Sequence, residues 1–398
     1  MTATYLDHAA STPMRPEAIA AMGPYLDVLY ANPSGSHRFA RRARQAIDEA
    51  RDRVAAVLGC RPDEVVFTGS GTEGDNMAVA GAIRAARHAG RAGVAVCPAV
   101  EHHAVLDVVE HDERGHVVAV DAAGRVDLDS LAMTLDQLSA LGDPADVVSV
   151  MAVNNEVGTI TDLAEVARVV RRHAPTAWFH TDAVQAASWV DWADVTPHVD
   201  LVALSAHKFG GPKGVGILVE RGRAAAERVA PIIVGGGQER ERRSGTQNVA
   251  GIVAAAEALA ITADEREAEI VRVGALRDAL VDRLAESVDD MIETVPRHLK
   301  SAGNAHVCIL GIESEALLFL LDEADVCASA ASACASGAME PSHVLAAMGV
   351  DRSHALGALR LSVGHTTTSA DVDRAVEVIG GAVERLRRRA TARKWVAT

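Results

Sequence analysis

The sequence predicts an α/β fold: a large domain built on a mostly parallel sheet with helices on both faces, and a smaller α+β domain. Three observations predict it. Short apolar runs alternate with helical segments from about residue 64. Those runs are apolar nearly throughout, as strands covered on both faces are. After about residue 250 the alternation gives way to one long helical region and then a mixed pattern. A chain of 398 residues is long enough for two domains. We divide it into a large domain, 15–250, and a small domain, 251–398, joined by residues 1–14.

The elements follow in order. "EVVFT" (64–68) is a strand, with a helix through "DNMAVAGAIRAARHA". "GVAVCPAV" (93–100) precedes the helical "HAVLDVVEHDE". "DVVSVMAV" (146–153) leads through a polar turn into "LAEVARVVRRHA". "AWFHTDA" (177–183), "VDLVALSAH" (199–207) and "GVGILVE" (214–220) complete the strand set. In such sheets ligands sit at the carboxyl ends of the strands. "AGIVAAAEALAITADEREAEIVRVGALRDALVDRLAESV" reads as a helical region broken once. Beyond it come strands at 304–310, around 325–329 and at 357–363, a helix near 313–322 and a final helix from about 369.

Composition excludes several classes. A net charge of −15 argues against a broad nucleic-acid surface, so no direct nucleic-acid binding is expected. The basic "RLRRRATARKW" (385–395) reads as the solvated end of the last helix. The five cysteines contain no CxxC pair, so no zinc or other metal site is expected. The start "MTATYLDHAASTP" does not look like a signal peptide, and no apolar run reaches the ~18 residues of a membrane span. The expected location is cytoplasmic, where cysteines stay reduced.

The chemistry begins with a preference. Only four lysines occur, Lys208, Lys213, Lys300 and Lys394, among 39 basic residues. Two of them stand in "LSAHKFGGPKGVGIL" (204–218). An amine can lose its proton and act as a nucleophile; a guanidinium cannot. "FTGSGTEGDNMAVAG" (67–81) is a strand, a Gly-rich turn and a helix start. Backbone N–H groups there suit a phosphate, with Gly69 and Gly71 allowing close approach and Thr72 able to donate. It is neither GxGxxG nor a Walker loop, so no dinucleotide is indicated. Asp182 in "HTDAVQ", His102 in "EHHAVLD" and Asn155 in "VNNEVGT" each follow a strand. Each also has a plain reading as a loop hydrogen bond or helix cap. Together with Lys208 they meet the needs of pyridoxal 5′-phosphate: a phosphate cradle, a stacking imidazole, a carboxylate for a pyridinium, an amide for a phenolic oxygen and an imine-forming lysine.

These motifs, with "YLDHAASTP", "NPSGSH", "GGGQERERRSGT", "SACASGAMEPSHVL" and "LRLSVGHTT", run almost end to end. In them the chain resembles the cysteine desulfurases of the NifS/IscS group, class V pyridoxal-phosphate enzymes of fold-type I. The resemblance implies that Lys208 holds the cofactor as a Schiff base and acts as a catalytic base. It implies that Asp182 pairs with the ring nitrogen and that His102 stacks and moves protons. Asn155 and Gln185 would contact the phenolic side of the ring, and Asn155 the substrate too. Gly71, Thr72, Ser205 and His207 would hold the phosphate. Thr246 would reach the phosphate of the neighbouring subunit, making the active unit a homodimer. Arg360 would bind the carboxylate of L-cysteine.

Cys334 would take the sulfur as a persulfide, leave L-alanine, and pass the sulfur to an acceptor protein. The segment before "SHVL" looks IscS-like, with the cysteine on a mobile loop. The upstream run "VCASAASAC" (326–334) departs from the family in lacking a glycine and introduces Cys327 as a rival thiol. Cys334 is placed ahead of it; Cys327, Cys60, Cys97 and Cys308 read as core filler. Iron–sulfur cluster assembly, tRNA thiolation and DNA phosphorothioation are the candidate destinations. A selenocysteine lyase, an aminotransferase and a non-catalytic scaffold are the alternatives.

Overall fold

The computed structural model describes residues 3–222, 228–330 and 342–396. The chain opens with a short strand β1 (Thr4–Tyr5) and helices α1 (Pro16–Leu26) and α2 (Arg38–Leu58). The alternation then runs β2 (Val65–Thr68), α3 (Gly71–His88), β3 (Ala95–Pro98), α4 (His103–Glu110), β4 (Gly115–Val118) and α5 (Leu128–Ala140). It continues with β5 (Val147–Ser149), α6 (Leu163–His173), β6 (Trp178–Asp182), β7 (Leu201–Ser205) and β8 (Gly216–Glu220).

Seven of these strands form one sheet in the order β2-β8-β7-β6-β5-β3-β4. Only β8 runs against its neighbours, pairing antiparallel with β2 and β7. The carboxyl ends of β2, β3, β5, β6 and β7 therefore share one edge. Successive residues feed opposite faces, as the pleat requires. Val65 and Phe67 pack with Ile47, Leu135 and Val170 beneath the sheet, while Val66 packs with Met77, Ile83 and Val105 above it.

The rest of the chain builds a second layer. It comprises α7 (Val249–Ser287), β9 (Met291–Glu293), β10 (Asn304–Ile309), α8 (Ser314–Asp322), β11 (Val326–Cys327), α9 (His343–Ala347), α10 (Arg352–Ala355), β12 (Ala358–Ser362) and α11 (Ser369–Val396). Strands β12-β10-β9 form an antiparallel sheet, and β1 pairs in parallel with β11. The expected break in the long helix is absent: α7 is continuous over 39 residues. The polar "ADERE" (263–267) is the largely solvated middle of the helix, between two buried ends. Ala255 and Leu259 at one end pack under the large sheet, and Leu280 and Leu284 at the other join the second core.

Candidate active site

At the shared strand edge lies a pocket of about 330 Å³. Its floor carries Gly71, Thr72, His102, Asn155, Asp182 and Ser205, and its side carries Gln185, His207 and Lys208. Arg360 enters from the small sheet, and Ala9 and Ala10 close the opposite wall. Ten of the residues named from sequence thus meet in one cavity.

The turn after β2 is made by capping. Ser70 Oγ accepts from Glu73 N at 3.1 Å, and Glu73 Oε2 accepts from Gly69 N at 2.9 Å. This reciprocal pair leaves the first helical N–H groups of α3 facing the pocket. Arg243 grips the same Glu73 at 2.7 and 3.1 Å. A Cβ on Gly71 would stand 2.6 Å from Val184 Cγ2, so only glycine fits there.

Asp182 ends β6, buried, with Oδ1 accepting from Val184 N at 2.8 Å. Burial raises its pKa, and His102 and Lys208 pull it back. Asp75 lies beneath it, buried, with Oδ1 lacking a hydrogen bond. Burial, then Asp182 and Glu101, holds Asp75 well above the usual carboxylate range. His102 caps α4: its Nδ1 accepts from Ala104 N at 3.0 Å. That bond leaves the proton of the neutral ring on Nε2. Burial lowers the His102 pKa.

Lys208 sits on a short turn, Ala206–Lys208, directly after β7. Its Nζ donates to Ala9 O at 2.5 Å and Ala10 O at 3.0 Å. Gln185 Nε2 donates to the same Ala9 O at 2.7 Å. Burial, then the Arg360 charge, lowers the Lys208 amine to about 8. Lys213 is exposed and outside the cavity. His207 Nδ1 lies 3.3 Å from Ser11 Oγ, and burial lowers its pKa to about 4. Arg360 donates from Nη1 to Asn155 O at 2.9 Å and from Nη2 to Asp7 Oδ1 at 2.8 Å.

Two sequence readings fall outside this pocket, and a third is not among the described residues. Thr246 is exposed and does not line the cavity of its own chain. Cys334 lies outside the described residues. Cys327 pairs with Tyr5 in the β1–β11 ladder and does not line the cavity. Burial, then Asp322 and Asp7, raises its thiol pKa, which disfavours the thiolate. Cys97 and Cys308 are buried in the cores, and burial raises Cys60 to about 12. Sequence reasoning missed Asp7, Ala9 and Ala10, although "YLDHAASTP" contains all three. It also missed Asp75, the last residue of "GTEGD".

No helix among the described residues is long and apolar enough to cross a membrane. The family model Aminotransferase class-V matches residues 4–375. The IscS-like cysteine desulfurase of Mycobacterium tuberculosis is 44% identical over 395 residues, covering 98% of each chain. A solved NifS-like protein superposes with a TM-score of 0.87 at 32% identity, over 96% of this chain and 100% of that one. The structure of SspA in complex with cysteine matches with a TM-score of 0.74 at 27% identity, over 90% of this chain and 98% of that one. The chain belongs to the aminotransferase class-V family and, within it, to the cysteine desulfurases.

Proposed function

We propose that the chain converts L-cysteine to L-alanine and keeps the sulfur as an enzyme persulfide, with pyridoxal 5′-phosphate as its cofactor. The observation that carries this is the convergence of Lys208, Asp182, His102 and Arg360 on one cavity. The cavity fits the cofactor. A cradle only glycine can line, at the N-terminus of α3, suits its phosphate. A buried carboxylate at Asp182 and an amine at Lys208 suit its ring nitrogen and its carbonyl carbon.

Bound, the cofactor supplies an electron sink for charge left on the substrate α-carbon. The protein supplies the rest. Gly71, Thr72, Ser205 and His207 hold the phosphate. Asp182 pairs with the ring nitrogen; burial raises its pKa, and His102 and Lys208 draw it back down. Lys208 Nζ, lowered to about 8, is neutral in a useful fraction near neutral pH and takes the α-proton. His102 Nε2–H faces the cavity as a proton donor. Asn155 and Gln185 orient the ring, and Arg360 orients the substrate carboxylate. The Cys334 thiolate takes the sulfur and hands it to an acceptor protein for iron–sulfur assembly, tRNA thiolation or DNA phosphorothioation. Thr246 completes the partner subunit's phosphate site in a homodimer.

The test is a product balance. Purified protein given L-cysteine and a reductant is expected to release alanine and sulfide in equal amounts. Lys208→Ala should release neither, and Cys334→Ser should form no protein persulfide by mass spectrometry. Keto-acid-dependent amine transfer without sulfide would mean an aminotransferase, and a persulfide on Cys327 alone would move the sulfur acceptor there.

A further inference from the structure

Arg360 does not use its guanidinium evenly. Nη1 is committed to the Asn155 carbonyl. Nη2 is held by one oxygen of Asp7 at 2.8 Å. Nε is buried and has no hydrogen-bond partner among the described residues. Nε and Nη2 share one edge of the planar group, the edge that grips a carboxylate through two parallel bonds. That edge is half used. A buried N–H without a partner is costly, so the half-filled state favours any ligand that fills both positions.

The two partners differ in how they are held. The Arg360 side chain is 6% exposed and fixed from both sides, whereas the Asp7 side chain is 22% exposed. Asp7 therefore has water to move into and Arg360 does not. Asp7 also lies close enough to Lys208 to favour its charged form. It balances the two cations of the cavity before any substrate anion arrives.

We infer that Asp7 is an exchangeable counter-ion of Arg360: it occupies the guanidinium edge in the resting site and yields it to the carboxylate of the substrate. This rests on the reading of Arg360 as the carboxylate site and adds a residue that tunes affinity there. An incoming amine with no carboxylate cannot displace Asp7, because it offers the guanidinium nothing in return. An amino acid displaces it by making two bonds where Asp7 makes one. Asp7 thus makes a carboxylate-bearing ligand give up part of its gain to displace it, and leaves an amine without a carboxylate unaffected.

Calorimetric binding of L-alanine and of ethylamine to the cofactor-loaded protein tests this. L-alanine carries the carboxylate and no transferable sulfur; ethylamine lacks the carboxylate. In Asp7→Asn the competing charge is gone, so L-alanine should bind about fivefold or more tightly, with ethylamine changed by less than about twofold. Asp7→Ser, which removes the carboxylate entirely, should do the same, and either folded variant decides the matter. Unchanged or weaker L-alanine binding in a folded Asp7 variant overturns the exchange. Arg360→Gln separates the two readings. If it leaves L-alanine affinity intact, Arg360 is not the carboxylate site and both fall. If it abolishes that affinity while Asp7→Asn fails to tighten binding, only the exchange falls.

Discussion

At Lys208 the fold holds an amine in a place that penalises its charge. Burial and then the Arg360 charge bring it from 10.5 to about 8. The folded chain therefore binds this proton less tightly than the unfolded chain does. The penalty is fully present below pH 8, and it is relieved as the pH rises from about 8 towards 10.5. In the cofactor-free protein, Lys208→Met removes the titrating group. The stability difference between variant and parent should shift by up to about 3 kcal/mol between pH 7 and 10.5, in the parent's favour at the higher pH. Urea unfolding at the two pH values measures it. A difference that does not move with pH would mean that the amine is not strained in the fold. Lys208 was legible in the sequence because lysine is rare here and arginine cannot do its work. Asp7 was not legible, because its meaning depends on Arg360, more than 350 positions away.

Among the elements, the segment from β1 to Arg15 acts as a strap across the pocket. Asp7 meets Arg360, the Ala9 and Ala10 carbonyls meet Lys208, and Ser11 meets His207. Arg15 anchors its far end, donating to Thr262 Oγ1 at 3.2 Å and Glu265 Oε2 at 2.7 Å on α7. The two contacts on Lys208 use backbone carbonyls and the others join residues far apart in the chain; neither kind leaves a local mark in the sequence, which is why the strap went unread. Six of the seven strands of the large sheet were read, because each is a run of β-branched and apolar residues between polar turns; β4, "GHVV", is mostly solvent-facing and was missed. The break in α7 was misread for an equally local reason, since a solvated helix turn and a linker share a composition. The strap has a glycine-dependent footing. Gly210 has φ +86° and its Cβ would lie 2.7 Å from Arg15 Cγ; Gly214 has φ +78° with open space around it. Gly214→Ala should cost about 1–3 kcal/mol of backbone strain. Gly210→Ala should cost more, and calorimetric melting temperatures of the two rank them. Equal losses would mean that Arg15 gives way freely.

For the molecule as a whole, the loop 233–246 matters because it carries Thr246, the residue proposed to serve the partner subunit. Its neck is closed by Ser244 N donating to Ile233 O at 3.1 Å. Glu239, Arg240 and Glu241 have φ of 49, 57 and 66°, a left-handed run that costs about 1–2 kcal/mol per residue. Arg51 offsets this by gripping Glu239 through two bonds of 2.8 Å. Val234 and Thr246 on the loop, and Leu26, Val28 and Tyr30 after α1, stand more than one third exposed. If Thr246 serves the partner subunit, Lys208→Ala and Thr246→Ala proteins should each be inactive alone. Mixed and allowed to exchange subunits, they should regain activity, because one site of each heterodimer is then intact. Activity that stays absent in a mixture shown to exchange would place Thr246 in its own subunit's site.

The strap also has a place in the life of the chain before it is a protein. Thr4 pairs with Val326, so the first strand made waits for nearly the last. At ~5–20 residues per second, the ribosome needs about 15–60 s to supply that partner. In the last third of that interval, once β8 has been made, the large sheet can be complete while its lysine stands in a basin with one wall missing. The enzyme closes its site only when synthesis is almost done, and a chain truncated before β11 is left with Lys208 uncovered.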